Sequence, residues 1–176
     1  KRVITMNQKN IFLTAVILIL FFSVVISANA ALPPNPDTGA TPDSPLYFLK
    51  TWKESIQTFF TFGLENKAKQ YLRLAEVRLA EYQKMIDKGK TKVAEKTLKK
   101  YENQLNRALG KAEEMKQKGK ETKDLTQKLE QTVSKHLEVL QTNLEKAPEQ
   151  AKQGLENAIE SSGKAIEKIT GSKPPT

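Results

Sequence analysis

The chain has 176 residues, no cysteine, one histidine, and 29 basic against 20 acidic residues, for a net charge of +9. Without cysteine it has no disulfides, no thiolate metal sites and no lipid attached through a thiol, so stability rests on packing alone. One histidine and no nucleophilic thiol leave carboxylates as the main conventional acid–base groups, which argues against an enzyme.

The run Ile11 to Ile26 carries no charge and only two hydroxyls, Thr14 and Ser23. Lys9 precedes it and Ala28-Asn29-Ala30 follows, the small-x-small pattern read by signal peptidases. Residues 1–30 therefore read as a signal peptide with Met6 as its start. An uncleaved anchor is the alternative, because a spanning helix needs roughly 20 mainly apolar residues and Ile11 to Ala31 supplies 21. Cleavage after Ala30 removes Lys1, Arg2 and Lys9 and lowers the net charge to +6. The rest would lie outside the cytoplasm (secreted, periplasmic or at the cell surface), where nucleic acid is not an expected partner. No aromatic–basic interleaving suggests one either.

Residues 31–43 form the linker. Pro33, Pro34, Pro36 and Pro42 with Gly39 cannot propagate helix or sheet. Asp43-Ser44-Pro45 then reads as a helix start, since Pro at the first helical position lacks the amide hydrogen that would go unpaired. On this first helix Leu46, Leu49, Trp52, Ile56 and Phe60 trace one face, widened by Tyr47, Phe48, Phe59 and Phe62. Half of the chain's twelve aromatic residues fall in this stretch. Aromatic residues at helical spacing are more often core than groove, so the face is expected to be buried.

Gly63 separates the second helix, Leu64 to about Lys88, with Ala68, Leu72, Ala75, Leu79 and Tyr82 inward. Gly89 stands where a left-handed C-cap is expected. The third helix, Thr91 to about Lys118, repeats Ala94, Leu98, Tyr101, Leu105, Ala108, Ala112 and Met115 at spacings of four and three. Such a stripe belongs to long helices packed at shallow angles. Gly110 makes a local bend plausible. Gly119 ends this helix.

The fourth helix, about Thr122 to Lys146, carries Leu125, Leu129, Val133, Leu137, Leu140 and Leu144. Ala147-Pro148 breaks it and starts a fifth, with Ala151, Leu155, Ala158, Ile159, Ser162, Ile166 and Ile169 inward. Residues 171–176 are a tail. No stretch alternates with period two over strand length. The expectation is an all-α domain over residues 44–170, an antiparallel bundle of four to five helices. The second, third and fourth helices should make its core, with the first covering an end or groove and the fifth completing the layer.

The segment Ser44-Pro45-Leu46-Tyr47-Phe48-Leu49-Lys50, followed by Glu54, then Lys67-Ala68-Lys69 and Ala75-Glu76-Val77-Arg78-Leu79-Ala80-Glu81, resembles an exported bacterial family called domain of unknown function 5667. His136 to Leu140, Pro148, Ala151 and Ala158 to Glu160 resemble its later half. Phe48 stands where the family usually has proline, and Thr51 where a basic residue is common. The resemblance implies an exported helical domain and no established activity.

Candidate chemistry is sparse. His136 has no ligand partner at helical spacing, which favours a structural or surface histidine. Glu113 and Glu114 lie among lysines, where ion pairing is their expected role. No nucleophile–base ordering, phosphate loop or HExxH occurs. No catalytic, cofactor or metal residue is assigned. Arg73, Glu76, Arg78 and Glu81 lie in the family-like motif and form a possible interaction surface, or else a pairing network that fixes the second helix against the first or third.

The expected role is a structural or protein-interaction module of the bacterial envelope that engages an envelope protein or an anionic envelope polymer. The alternative is a chaperone-like or envelope-stress helper that binds unfolded clients. A closed module should hide the aromatic residues of the first helix, whereas a client binder should leave several hundred Å² open. A third reading, binding to an anionic membrane surface, predicts salt-sensitive sedimentation with vesicles. If it is not cleaved, the N-terminal segment also contacts the membrane.

Overall fold

A computed structural model describes residues 39–170. The expected signal segment, most of the linker and the C-terminal tail lie outside the described residues. Five helices follow in order: α1 (Tyr47–Phe59), α2 (Leu64–Asp87), α3 (Thr91–Gln117), α4 (Lys123–Lys146) and α5 (Glu149–Thr170). Among the described residues there is no strand, and no helix is long and apolar enough to cross a membrane.

The turns follow from local chemistry. Gly89 and Gly119 both adopt positive φ. After each, the next residue's N–H reaches back five residues: Lys90 to the Met85 carbonyl at 2.8 Å and Lys120 to that of Met115 at 3.0 Å. Paired with the Gly89–Ile86 and Gly119–Lys116 bonds, these are Schellman caps, which need a left-handed residue that glycine supplies without a Cβ clash. α3 runs helical through Gly110. Ala147 is extended (ψ 141°) ahead of Pro148, which separates α4 from α5.

The start of α1 differs from expectation. Helix begins at Tyr47, with Leu46 as N-cap and no side-chain cap. Residues 44–46 form a turn in which the Ser44 hydroxyl accepts the Leu46 N–H at 3.2 Å. Asp43 is unavailable as a cap because its carboxylate holds Lys88 and Lys90 at 3.1 and 2.7 Å.

α2 and α3 form one antiparallel hairpin. Arg107 stands over the Tyr71 ring, while Arg78 and Lys100 share the ring of Tyr47. α4 and α5 form the second hairpin. The two hairpins meet chiefly through α3 against α5, with a smaller contact of α2 against α4. Leu98 packs beside Gly154, and the Tyr101 and Ser162 hydroxyls share a hydrogen bond of 2.7 Å. Rising numbers on α3 thus meet rising numbers on α5, and this contact runs parallel. The expectation that the second, third and fourth helices form the antiparallel core, with the fifth only completing the layer, is corrected: α3 and α4 stand diagonally, and α5 packs against both α3 and α4.

The core holds Ala68, Leu72, Ala75 and Leu79 from α2, Leu98, Tyr101 and Leu105 from α3, Leu129 and Leu140 from α4, and Leu155 and Ile166 from α5, as the periodicity implied. Leu137 and Ile159 are only partly buried. The inward position between Val133 and Leu140 is His136, 5% exposed. Leu49, Trp52 and Phe60, expected in the core, are exposed, and Ile56 is half-buried.

Buried His136 has a consequence for pH. Its ring meets Tyr101 edge-on at 5.4 Å, and neither nitrogen has a hydrogen-bond partner. Burial pushes the imidazole down to about 4, while the unfolded chain binds a proton near pH 6.5. Stability from this group is full above about pH 6.5 and falls progressively toward pH 4, by about 3 kcal/mol at most. Urea titrations across that range should show the decline in the native chain and a flatter profile in His136→Leu. Leucine also removes two unpaired polar atoms, so at pH 7 the variant should be no less stable. Identical profiles in both chains would contradict the assignment.

Candidate functional site

α1 is amphipathic in the reverse sense. Its inward side carries Tyr47, Lys50, Thr51, Glu54 and Thr58, buried or half-buried. α2 answers with a second buried stripe, Leu74, Val77, Arg78 and Glu81, spaced i, i+3, i+4, i+7 so that all four share one face. This stripe is distinct from the one that enters the bundle core.

Between the two helices lies a closed polar network. Arg78 Nη1 donates to Glu81 Oε2 at 2.5 Å and to Tyr47 Oη at 2.7 Å, and Arg78 Nη2 donates to Glu54 Oε2. Tyr47 Oη donates to Glu81 Oε2 at 2.8 Å. Lys50 Nζ donates to Glu81 Oε1 and stands 3.7 Å from Glu54 Oε1. Glu81 is 0% and Arg78 3% exposed. Two cations meet two carboxylates, and Glu81 accepts from three donors, so the desolvation cost is offset by charge-assisted bonds. Burial pushes the Tyr47 phenol well above its usual range, against the pull of Arg78.

The residues that carried the family resemblance, Tyr47, Lys50, Glu54, Arg78 and Glu81, are the ones that meet here. They latch α1 to α2.

The outward side follows of necessity. With the polar stripe facing α2, Phe48, Leu49 and Trp52 point away from the bundle, joined by Phe59, Phe60 and Phe62. Trp52 is 65%, Phe59 75% and Phe62 76% exposed. Phe59 and Phe60 meet edge-to-face at 5.2 Å. The burial expected for this aromatic face is corrected: the latch consumes the inward side, and the apolar side is left open. Contiguous exposed apolar patches on soluble domains mark interaction sites.

Of the four residues read as a possible interaction surface, Arg78 and Glu81 are sealed under α1, whereas Arg73 and Glu76 are half-buried. Partial burial raises the Glu76 carboxyl, while Lys128 and Lys135 of α4 and neighbouring Arg73 lower it. The four thus split between two neighbours of α2 and do not make one exposed face. Glu114 pairs with Lys111 and Lys118 at 2.7 and 2.8 Å, and their hydrogen bonds hold it down to about 2. An open cleft of about 870 Å³ lies where α3 ends and α4 begins, lined by Leu109, Ala112, Leu129 and Ile169 together with Glu113, Lys116, Glu130 and Lys168. Among the described residues no group of three or more His, Asp or Glu could hold a metal ion.

Sequence reasoning missed the reversed polarity of α1. The signal was present: Tyr47, Lys50 and Glu54 at i, i+3 and i+7 form a stripe as regular as the aromatic one.

The family model described as Domain of unknown function (DUF5667) matches residues 39–150. That is more than half of the chain, and the chain belongs to this family. No curated protein and no solved structure matches it.

Proposed function

We propose that this DUF5667 member is an exported, non-enzymatic interaction module of the bacterial envelope that docks a partner through the outward aromatic face of α1. One observation carries the reading: α1 is held by its polar side, so its apolar side is presented rather than packed. The expected export of the chain would place that face outside the cytoplasm.

The test compares stability with binding. Phe48→Ser/Phe59→Ser should leave thermal stability nearly unchanged, because exposed positions contribute within about 0.5 kcal/mol each. The same variant should abolish capture of envelope components by the folded chain. A large loss of melting temperature would instead make the face structural and remove the reading.

The open face is what a client binder, and not a closed module, was expected to present, so it also favours the second reading, a helper that shields unfolded clients. On that reading the native chain suppresses aggregation of an unfolded client at near-stoichiometric ratio, and the double variant does not. Absence of suppression by the native chain removes it.

A further inference from the structure

We infer that the outward face of α1 seats on an anionic lipid surface, with the helix lying flat in the interface. The inference rests on the docking reading above and names its occupant. Composition is the first support. Phe48, Leu49, Trp52 and Phe59 sit on one side of a 13-residue helix with Phe60 at its C-cap, and amphipathic helices with tryptophan and phenylalanine on the apolar side lie in the plane of the lipid interface. At 1.5 Å per residue α1 is about 20 Å long, too short to span the hydrocarbon core.

Size is the second support. A helix face about 20 Å long covers a few hundred Å², against about 800 Å² per partner in a stable protein complex. The face alone falls short of a stable interface with a second copy. A bilayer needs no complementary shape, and adds electrostatic attraction to the apolar contact.

Charge is the third. From Lys84 to Lys100 the chain carries seven lysines against Asp87 and Glu95. This α2–α3 tip borders α1 directly. Lys88 and Lys90 grip Asp43 just ahead of it, and Lys100 Nζ stands 4.8 Å from the centre of the Tyr47 ring. Exposed Lys92 and Lys96 extend the stripe of Lys100 at i−8 and i−4. A positive strip therefore borders the N-terminal end of the helix that carries the apolar face, a pairing that anionic headgroups attract.

The latch fixes which side of α1 is presented to the lipid.

Trp52 is the only tryptophan, so its emission reports on this face alone. The full chain is added to vesicles of brominated phosphatidylglycerol and phosphatidylcholine, or of brominated phosphatidylcholine alone. The expected result is a blue shift and strong bromine quenching in the anionic vesicles, weakened by salt and largely absent in the neutral ones. Lys92→Glu/Lys96→Glu should lower partitioning at least tenfold with helicity unchanged. Equal quenching in both vesicle types overturns the anionic requirement. Trp52 that stays open to acrylamide and unquenched by anionic lipid overturns the lipid occupant but leaves the docking reading standing. Trp52 shielded from acrylamide before any vesicle is added overturns both, since the face is then already covered by protein.

Discussion

Replacing Arg78 with alanine is expected to release α1 rather than unfold the bundle. Arg78 is the hub of the latch, bonded to Tyr47, Glu54 and Glu81. Its removal leaves two carboxylates in a nearly closed site with Lys50 as their main cation. Removing one partner of a buried ion pair costs about 3–5 kcal/mol, because the remaining charge is uncompensated. The protein has an escape from that cost. α1 meets α2 through few contacts besides the network, so its departure hydrates Glu54 and Glu81. Hydrogen exchange should therefore accelerate in α1 on the order of a hundredfold, the equivalent of about 3 kcal/mol, with α2 to α5 little changed. Arg78→Lys should fall between, since an ammonium keeps the charge and loses the planar fork. Uniform acceleration across all five helices would show that α1 is integral to the bundle, contrary to this account.

The second large effect belongs to α5. Leu155 is fully buried in the main cluster, on the helix that packs against both α3 and α4. Leu155→Ala should cost about 2–5 kcal/mol, the lost transfer energy plus the cavity left behind. For a domain of this size that lowers the melting temperature by roughly 10 °C or more. If α5 merely completed an outer layer, the site would relax and the loss would stay under about 1 kcal/mol. Calorimetry of Leu155→Ala beside Phe48→Ser/Phe59→Ser separates the packed faces from the open one.

The four long helices were legible because each carries an apolar stripe at helical spacing into the core and is punctuated by glycine or proline. A short capped turn does not by itself fix the neighbour: α2 and α3, joined at Gly89, pack together, whereas α3 and α4, joined by the same cap at Gly119, stand diagonally. How the α4–α5 pair docks on α2 and α3 was not legible, because α4 and α5 both carry an inward stripe and nothing local says which one α3 meets. His136 and Leu137 show a finer limit. Val133 to Leu140 can be bridged by either residue, and the phase of α4 favours the histidine. α1 was misread for a more instructive reason. Its aromatic stripe was assigned to the core by the usual preference of large apolar residues, while its polar stripe was passed over. The partner of that polar stripe, Arg78 and Glu81, lay in the same motif that carried the family resemblance. The pairing network read for Arg78 and Glu81 does hold the second helix against the first; its consequence, that the aromatic side of α1 then turns outward, is what the sequence did not make plain.

Acrylamide quenching of Trp52 in the purified chain, free of lipid and partner, measures the reversed polarity of α1 most directly. With the aromatic side outward, its emission and quenching should approach those of a free tryptophan amide, while circular dichroism reports an intact bundle. A shielded, blue-shifted Trp52 in that folded monomer would mean that α1 packs by its aromatic side, and both the latch and the docking face would have to be abandoned.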